Sequence, residues 1–449
     1  MLLIAILEKL NIVLLSILAK SAFLSYIIET LSRKGSYFFY VWMMRFKRGY
    51  IMYYKIKNDI LFRQYPRYGY ITDNAKFGYR LLNDTQYMPG EKYVSEVGAF
   101  MLAALSKTPR HIDEIVADLA QIFKGVDCDT LKQDATDFFQ WFVSEGYLSS
   151  GETFDLCQER DVGRPPRQQQ EEYSHTAVEM ENRFKDQFSP NELFRYLHIE
   201  LTSVCNEQCV HCYIPHDGQH ETIDSALFYR ILEEGREMNL VNVTLSGGEP
   251  LLHKDFLSFL AKCRELDLSV NVLSNLTLLT DEITDEMKRN PLLSVQTSLY
   301  SMDPSTHDFI TKQNGSFEKT KNGLLRLYDA GIPVQISCPI LKQNKDSFLD
   351  VIHYGRENHI AVLVEPVIFA AYDHSCSNLV NRLSLEEVGD AIEKQLPDGY
   401  AEMIRKNAQE TEALTEDDFI CSVCRHSVCI APSGKVSVSY THLTLPTIA

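Results

Sequence analysis

From residue 194 onward, short apolar runs alternate with longer amphipathic stretches. The runs YLHIEL, VNVTLSG, LSVNVLSN, LLSVQTSLY, IPVQISCPI and IAVLVEPVI read as strands. Between them, DSALFYRILEEGREM, KDFLSFLAKCREL and FEKTKNGLLRLYDAG read as helices, each ended by a Gly or a polar break. Six βα units within about 180 residues predict a parallel sheet with right-handed crossovers, curved toward a partial barrel. In such barrels the chemistry lies at the C-terminal ends of the strands.

The preceding hundred or so residues have a different rhythm. YYKIKNDILFRQYPRYGYITDN, rich in Tyr and Ile with turn residues between, predicts two or three short strands. Three helical patterns follow. VSEVGAFMLAALS places Val94, Val97, Met101 and Leu105 near helical spacing. HIDEIVADLAQIFKG repeats Ile112, Ile115, Leu119 and Ile122 before Gly125 stops it. DTLKQDATDFFQWFVSEGYL sets Leu131, Phe138, Phe142 and Val143 on one side. Strands followed by three helices predict a small winged-helix-like α+β unit over 52–152. Residues 153–190, including RDVGRPPRQQQEEYSH, are polar and unpatterned and read as a linker.

Residues 1–51 match neither half. They are apolar, but Glu8, Lys9 and Lys20 interrupt them before a run of about 20 accumulates, and seven Lys/Arg stand against two Glu. Two readings fit: a membrane-surface or signal-type segment, or a mis-assigned start with Met52 as the true one. The working domains contain no other span long enough to cross a membrane.

Charge and cysteine usage narrow the function classes. The 449-residue chain carries a formal charge of −17, which argues against a broad electrostatic grip on nucleic acid. Its 11 cysteines are too dilute for a disulfide scaffold, and six fall in two tight groups, which suggests metal binding in a reducing, cytoplasmic compartment.

The first group, CNEQCVHCY, follows the first barrel strand and contains Cys205, Cys209 and Cys212. A disulfide would leave one thiol odd. Zinc asks for a fourth ligand, for which His211 is available. The spacing CxxxCxxC also suits three irons of a 4Fe–4S cluster, with the fourth iron left open. The second strand ends in SGGEP, where Gly247 and Gly248 permit close backbone approach and Glu249 brings a carboxylate. Ser274 and Asn275 end the third strand, and Gln296 and Ser298 the fourth.

Taken together, CxxxCxxC-Tyr, the Gly-Gly-Glu turn and the polar strand ends resemble the radical S-adenosylmethionine (SAM) superfamily over residues 194–395. The resemblance implies that Cys205, Cys209 and Cys212 ligate a 4Fe–4S cluster whose open iron is chelated by SAM. It also implies that Gly247, Gly248 and Glu249 receive the methionine amino group, that Asn275 and Ser298 contact carboxylate or ribose, and that the backbone at Tyr213 meets the adenine. ILFRQYPRYGYI, VSEVGAFML, HIDEIVADLAQIF and DFFQWFVSEGYL resemble the RiPP recognition element, a PqqD-like domain. That family binds the leader of a precursor peptide as an added strand. A helix-turn-helix DNA reader is the rival, and the acidic helices argue against it.

The second group, CSVCRHSVCIAPSGKV, holds Cys421, Cys424 and Cys429. With Gly434 it resembles the start of a SPASM extension and implies an auxiliary iron–sulfur cluster, zinc being the alternative. The tail VSYTHLTLPT matches one frame of a transposase sequencing adapter, so 438–449 are expected to be an artefact and 396–437 an incomplete SPASM-like domain. Cys263 and Cys338 fall in helix and strand patterns and read as core; Cys376 reads as a loop cysteine.

The expected architecture is therefore α/β: a partial (β/α)6 TIM-like barrel over 191–395 behind a peptide-recognition domain over 52–152. The expected activity is modification of a ribosomally synthesised peptide by a 5′-deoxyadenosyl radical, forming a thioether or related cross-link. A flavodoxin or ferredoxin would supply electrons. The alternatives are an anaerobic sulfatase-type protein maturase and a non-catalytic, metal-bound peptide carrier.

Overall fold

The computed structural model describes residues 52–73, 90–161, 196–216, 220–395 and 427–437. The amino-terminal part runs β1 (Tyr53–Ile56), β2 (Leu61–Gln64), β3 (Tyr68–Thr72), β4 (Glu91–Ser95), α1 (Glu96–Ala103), β5 (Arg110–His111), α2 (Ile112–Ile122), α3 (Cys128–Ser144), β6 (Leu148–Gly151) and α4 (Phe154–Glu159). Its strands make two antiparallel sheets, in the orders β5-β1-β6 and β2-β3-β4. The helices start at side chains that cap free amides: Ser95 accepts from Gly98 N–H, and Asp127 from Asp129 and Thr130 N–H. Ile115 and Leu119 of α2 and Phe139 and Phe142 of α3 close the core against Tyr54 and Leu102.

Two expectations change here. Val94 and Val97 do not share a helix face, because the cap at Ser95 ends the strand and starts α1 between them. Val94 is buried in β4, Val97 is exposed, and α1 instead buries Gly98, Ala99, Met101 and Leu102. The segment expected to be linker from 153 is folded at its start. α4 packs so close to β6 that a Cβ on Gly151 would stand 2.3 Å from Cys157 N, and buried Lys55 pairs with Asp161 at 2.5 Å.

The second part runs β7 (Tyr196–Thr202), α5 (Ser225–Glu237), β8 (Asn242–Gly247), α6 (Phe256–Glu265), β9 (Ser269–Leu273), α7 (Asp281–Lys288), β10 (Leu293–Ser298), α8 (Pro304–Thr311), α9 (Ser316–Asp329), β11 (Val334–Pro339), α10 (Phe348–Glu357), β12 (Ala361–Glu365), α11 (Leu385–Gln395), β13 (Ser427–Ile430) and β14 (Val436–Ser437). β7 to β12 are parallel and adjacent in sequence order, the topology of an open βα barrel. β13 adds in parallel beside β7, and β14 returns antiparallel. Leu197, Ile199 and Leu201 of β7 pack with Phe228, Leu232 and Phe259 of the covering helices. The alternate positions His198 and Glu200 face the other side of the sheet, as the two-residue strand period requires.

The two parts meet at the amino-terminal ends of the barrel strands. Leu61, Tyr65, Tyr68 and Tyr70 form one apolar cluster with Val241 and Leu292, which stand just before β8 and β10. Buried Arg63 crosses the same junction: its Nε donates to Leu240 O at 2.9 Å, and Nη2 donates to Asp267 O. The recognition-like unit is thus fixed to the end of the barrel opposite the strand termini that carry the cysteines.

Candidate active site

The Gly247–Gly248 pair brings the second strand end against the chain that leads into the cysteines. Gly247 adopts φ +127°, and a Cβ there would lie 2.2 Å from Thr202 O. One on Gly248 would lie 2.3 Å from Val204 O. That closeness permits two hydrogen bonds, Gly248 N–H to Thr202 O at 2.7 Å and Glu249 N–H to Val204 O at 2.9 Å.

Glu249 is fully buried, and its carboxylate accepts three hydrogen bonds from the protein. Oε1 accepts from Leu251 N–H at 3.0 Å and the Ser274 hydroxyl at 2.8 Å; Oε2 accepts from Asn275 N–H at 2.8 Å. Burial pushes the acid up to about 7, and these three donors pull the other way. Glu249 therefore ties the end of β8 to the end of β9, while the half-buried Gly247 and Gly248 present backbone to the site.

Cys205, Cys209 and Cys212 are free and half-buried. Burial raises all three thiols, Cys205 to about 12 and Cys212 to about 11, with Glu207 and the neighbouring thiols adding to the effect at Cys209. A nucleophilic cysteine needs the opposite environment. Thiols held together among carboxylates are instead suited to a polycationic centre that deprotonates them. Among the described residues, no three His, Cys, Asp or Glu side chains are gathered tightly enough for a single metal ion. The His211 ring lies edge-on to Tyr300, 5.2 Å between centroids. The arrangement fits a cluster, whose thiolates bind different irons, better than a zinc cage.

The other expected residues reach the same strand ends. The Asn275 side chain donates to Asn206 Oδ1 at 3.0 Å and lies 3.9 Å from Cys205 Sγ, while its own oxygen holds Thr277. Ser298 ends β10 two residues before Tyr300, whose phenol is 4.0 Å from Cys209 Sγ. Tyr213 O accepts from Tyr372 N–H at 2.9 Å. Both Tyr213 and Tyr372 donate their phenols to buried Glu200, at 3.2 and 2.7 Å. Glu200, Tyr300 and Tyr372 were not singled out by sequence reasoning. The alternation along LHIEL, which puts Glu200 on the face opposite Ile199 and Leu201, was the available signal for the first of them.

Of the second cysteine group, only Cys429 lies within the described residues. Cys429 is buried on β13, paired in register with His198 of β7. Cys421 and Cys424, residues 1–51, most of the expected linker and the tail from 438 lie outside the described residues. Cys263 and Cys338 are buried in the barrel core, and Cys376 is exposed. Among the described residues no helix is long and apolar enough to cross a membrane.

Comparison with known proteins agrees with this geometry. The family model of the radical SAM superfamily matches residues 199–355, and that of coenzyme PQQ synthesis protein D (PqqD) matches 87–148. Sporulation killing factor maturation protein SkfB of Bacillus subtilis is 30% identical over 155 residues, covering 34% of this chain and 38% of SkfB. GTP 3′,8-cyclase of Petrotoga mobilis is 29% identical over 161 residues, covering 34% of this chain and 50% of the cyclase. The chain thus spans half or less of the length of these curated relatives. In fold it is similar to Streptococcus suis SuiB bound to its precursor peptide SuiA, with a TM-score of 0.52 at 14% identity over 88% of this chain and 84% of SuiB. The radical SAM superfamily uses a 4Fe–4S cluster and SAM, the groups that the three thiols and the glycine turn fit. Residues 199–355 of this chain are a radical SAM domain, and residues 87–148 ahead of it are a PqqD-like domain.

Proposed function

We propose that this chain modifies a ribosomally synthesised peptide by SAM-dependent radical chemistry. The observation that carries this reading is the PqqD-like domain docked on the radical SAM barrel in one chain. The barrel alone does not choose a substrate, since its relatives include both a peptide maturation protein and a nucleotide cyclase. The recognition-like domain does. Among the described residues β4 pairs only with β3, leaving its other edge for an added strand. Beside it, Trp141 of α3 is 43% exposed, with Lys92 of β4 over its ring at 5.5 Å. A leader laid along β4 would pack on α3 at this aromatic step.

In the barrel, Cys205, Cys209 and Cys212 would hold the cluster. The Gly247–Gly248 backbone, Asn275 and Ser298 make the polar rim suited to the amino-acid and ribose parts of SAM. When bound, cluster and SAM supply a 5′-deoxyadenosyl radical that takes a hydrogen atom from the peptide. Glu249 keeps the rim in register by joining two strand ends. The product expected is a cross-link, a thioether or related bond, with Cys421, Cys424 and Cys429 serving an auxiliary cluster and a flavodoxin or ferredoxin donating electrons in the cytoplasm.

The test uses anaerobically reconstituted protein, dithionite, SAM and the precursor peptide encoded beside the gene. The expected result is 5′-deoxyadenosine together with loss of two hydrogens from the peptide for each link. Undiminished SAM cleavage after combined replacement of Cys205, Cys209 and Cys212 by Ala would sink the reading, as would a peptide that binds equally well without residues 52–152.

A further inference from the structure

Residues 205–213 form a loop that carries all three thiols, and its backbone is bonded from two sides. On one side, Gln208 N–H donates to Thr311 O at 3.0 Å and Val210 N–H to Ile310 O at 2.9 Å. Both acceptors are carbonyls at the carboxyl end of α8, where a helix has no partners of its own to offer. On the other side comes the segment after β12, which returns across the barrel more than 150 residues later. Asn381 Nδ2 donates to Val210 O at 2.8 Å. Asn378 Nδ2 donates to His211 O at 3.2 Å and Cys212 O at 3.3 Å, and Tyr372 N–H to Tyr213 O at 2.9 Å. Four successive carbonyls of the loop are thereby taken by one strap.

Asn378 is the centre of this strap. It is buried, and its amide nitrogen also meets Phe369 O at 2.7 Å, so that three carbonyls surround it. Among the described residues its Oδ1 has no hydrogen-bond partner. Turning the amide over would set that oxygen against three carbonyls, so the orientation is determined by donation alone. A buried acceptor left without a partner costs free energy, and here it stays unpaired so that the nitrogen can hold the loop. The strap is itself anchored: Lys342 N–H and Gln343 Nε2 donate to Asn381, and Tyr372 reaches Glu200.

We propose that Asn378, with Asn381, is a positioning residue that preforms the cysteine loop before any cluster is inserted. The inference rests on the reading of Cys205, Cys209 and Cys212 as cluster ligands, but its first test needs no cluster. Hydrogen exchange is measured on the full apo chain, wild type and N378A, N378D and N381A. N378D keeps the volume while replacing the donor by a carboxylate that the carbonyls repel. The bonded amides of Gln208, Val210 and Cys212 are expected to be protected in wild type and to exchange roughly tenfold faster in each variant. Amides of α6 stay unchanged as the control for global unfolding. After equal anaerobic loading, the variants should hold at most half the wild-type iron, and their reduction midpoint should fall because donor dipoles beside Cys212 are lost. Unprotected loop amides in wild-type apo protein overturn the proposal. So does loop exchange, or a midpoint, that is the same in N378D as in wild type. If N378A fails to fold, N381A and the wild-type measurement decide. Wild-type protein that takes up no iron while its loop is protected refutes the ligand reading and leaves the preformed loop standing.

Discussion

Replacing Arg63 by Met should uncouple recognition from chemistry without touching either site. The guanidinium is buried at the junction, donating to Leu240 O and Asp267 O of the barrel and to Phe62 O of its own strand. Desolvation, and then Arg236, pull its pKa down to about 10 against the partial help of Asp267, so it remains charged at neutral pH. Met replaces the aliphatic stem and keeps its apolar contacts. It leaves two barrel carbonyls without their donors, at about 1–3 kcal/mol each, and offsets part of this by removing a buried charge. A net loss of about 2–4 kcal/mol weakens docking by roughly one and a half to three powers of ten. The apolar cluster of Leu61, Tyr65, Tyr68 and Tyr70 with Val241 and Leu292 stays to oppose separation. Calorimetry should show one unfolding transition in wild type and two in Arg63→Met. SAM cleavage and leader affinity should persist while peptide conversion falls at least tenfold. A single transition with wild-type conversion would refute the claim that this arginine couples the two units.

Gly248→Ala should destabilise the chain by about 2–4 kcal/mol and abolish cluster loading, because the new methyl meets Val204 O at 2.3 Å directly before Cys205; iron content after reconstitution reads this out. Glu249 is raised from its ordinary value to about 7, so the folded apo chain holds its proton more tightly than the unfolded chain. The stability tied to that proton is complete below pH 4.5 and is lost as pH rises through 7, by at most roughly 3 kcal/mol. Glu249→Gln should remove that decline, and urea midpoints of both chains at pH 5 and 7.5 check it by difference; parallel curves would disprove it. The recognition-like unit sits at the strand ends opposite the thiols, and six-residue β8 alone spans about 20 Å. Peptides with fewer than about six residues between leader and modified position should therefore bind without being converted, as competitive binding against mass-spectrometric turnover would reveal.

The sequence by itself determined the parts whose physics is local. Six apolar runs named six parallel strands to within three residues at each end, because a buried strand needs an unbroken apolar stretch wherever it folds. CxxxCxxC and the glycine pair identified the chemistry, since iron needs thiolates and a close backbone approach needs residues without a Cβ. The first winged-helix pattern failed at Val94 and Val97, where a single capping serine outweighed the apolar period. What only the tertiary structure decided involves partners on different elements, from about 25 to more than 170 residues apart. Arg63 reads as an ordinary exposed strand residue until Leu240 and Asp267 are brought to it. Glu249 reads as a SAM contact alone until the fold shows that it also joins Leu251, Ser274 and Asn275. Asn378 and Asn381 carry no period and no motif at all, and they matter because the last barrel strand delivers them to the carbonyls of the cysteine loop. Periodicity records which face of an element is dry, whereas a hydrogen bond between distant segments is specified by neither segment alone.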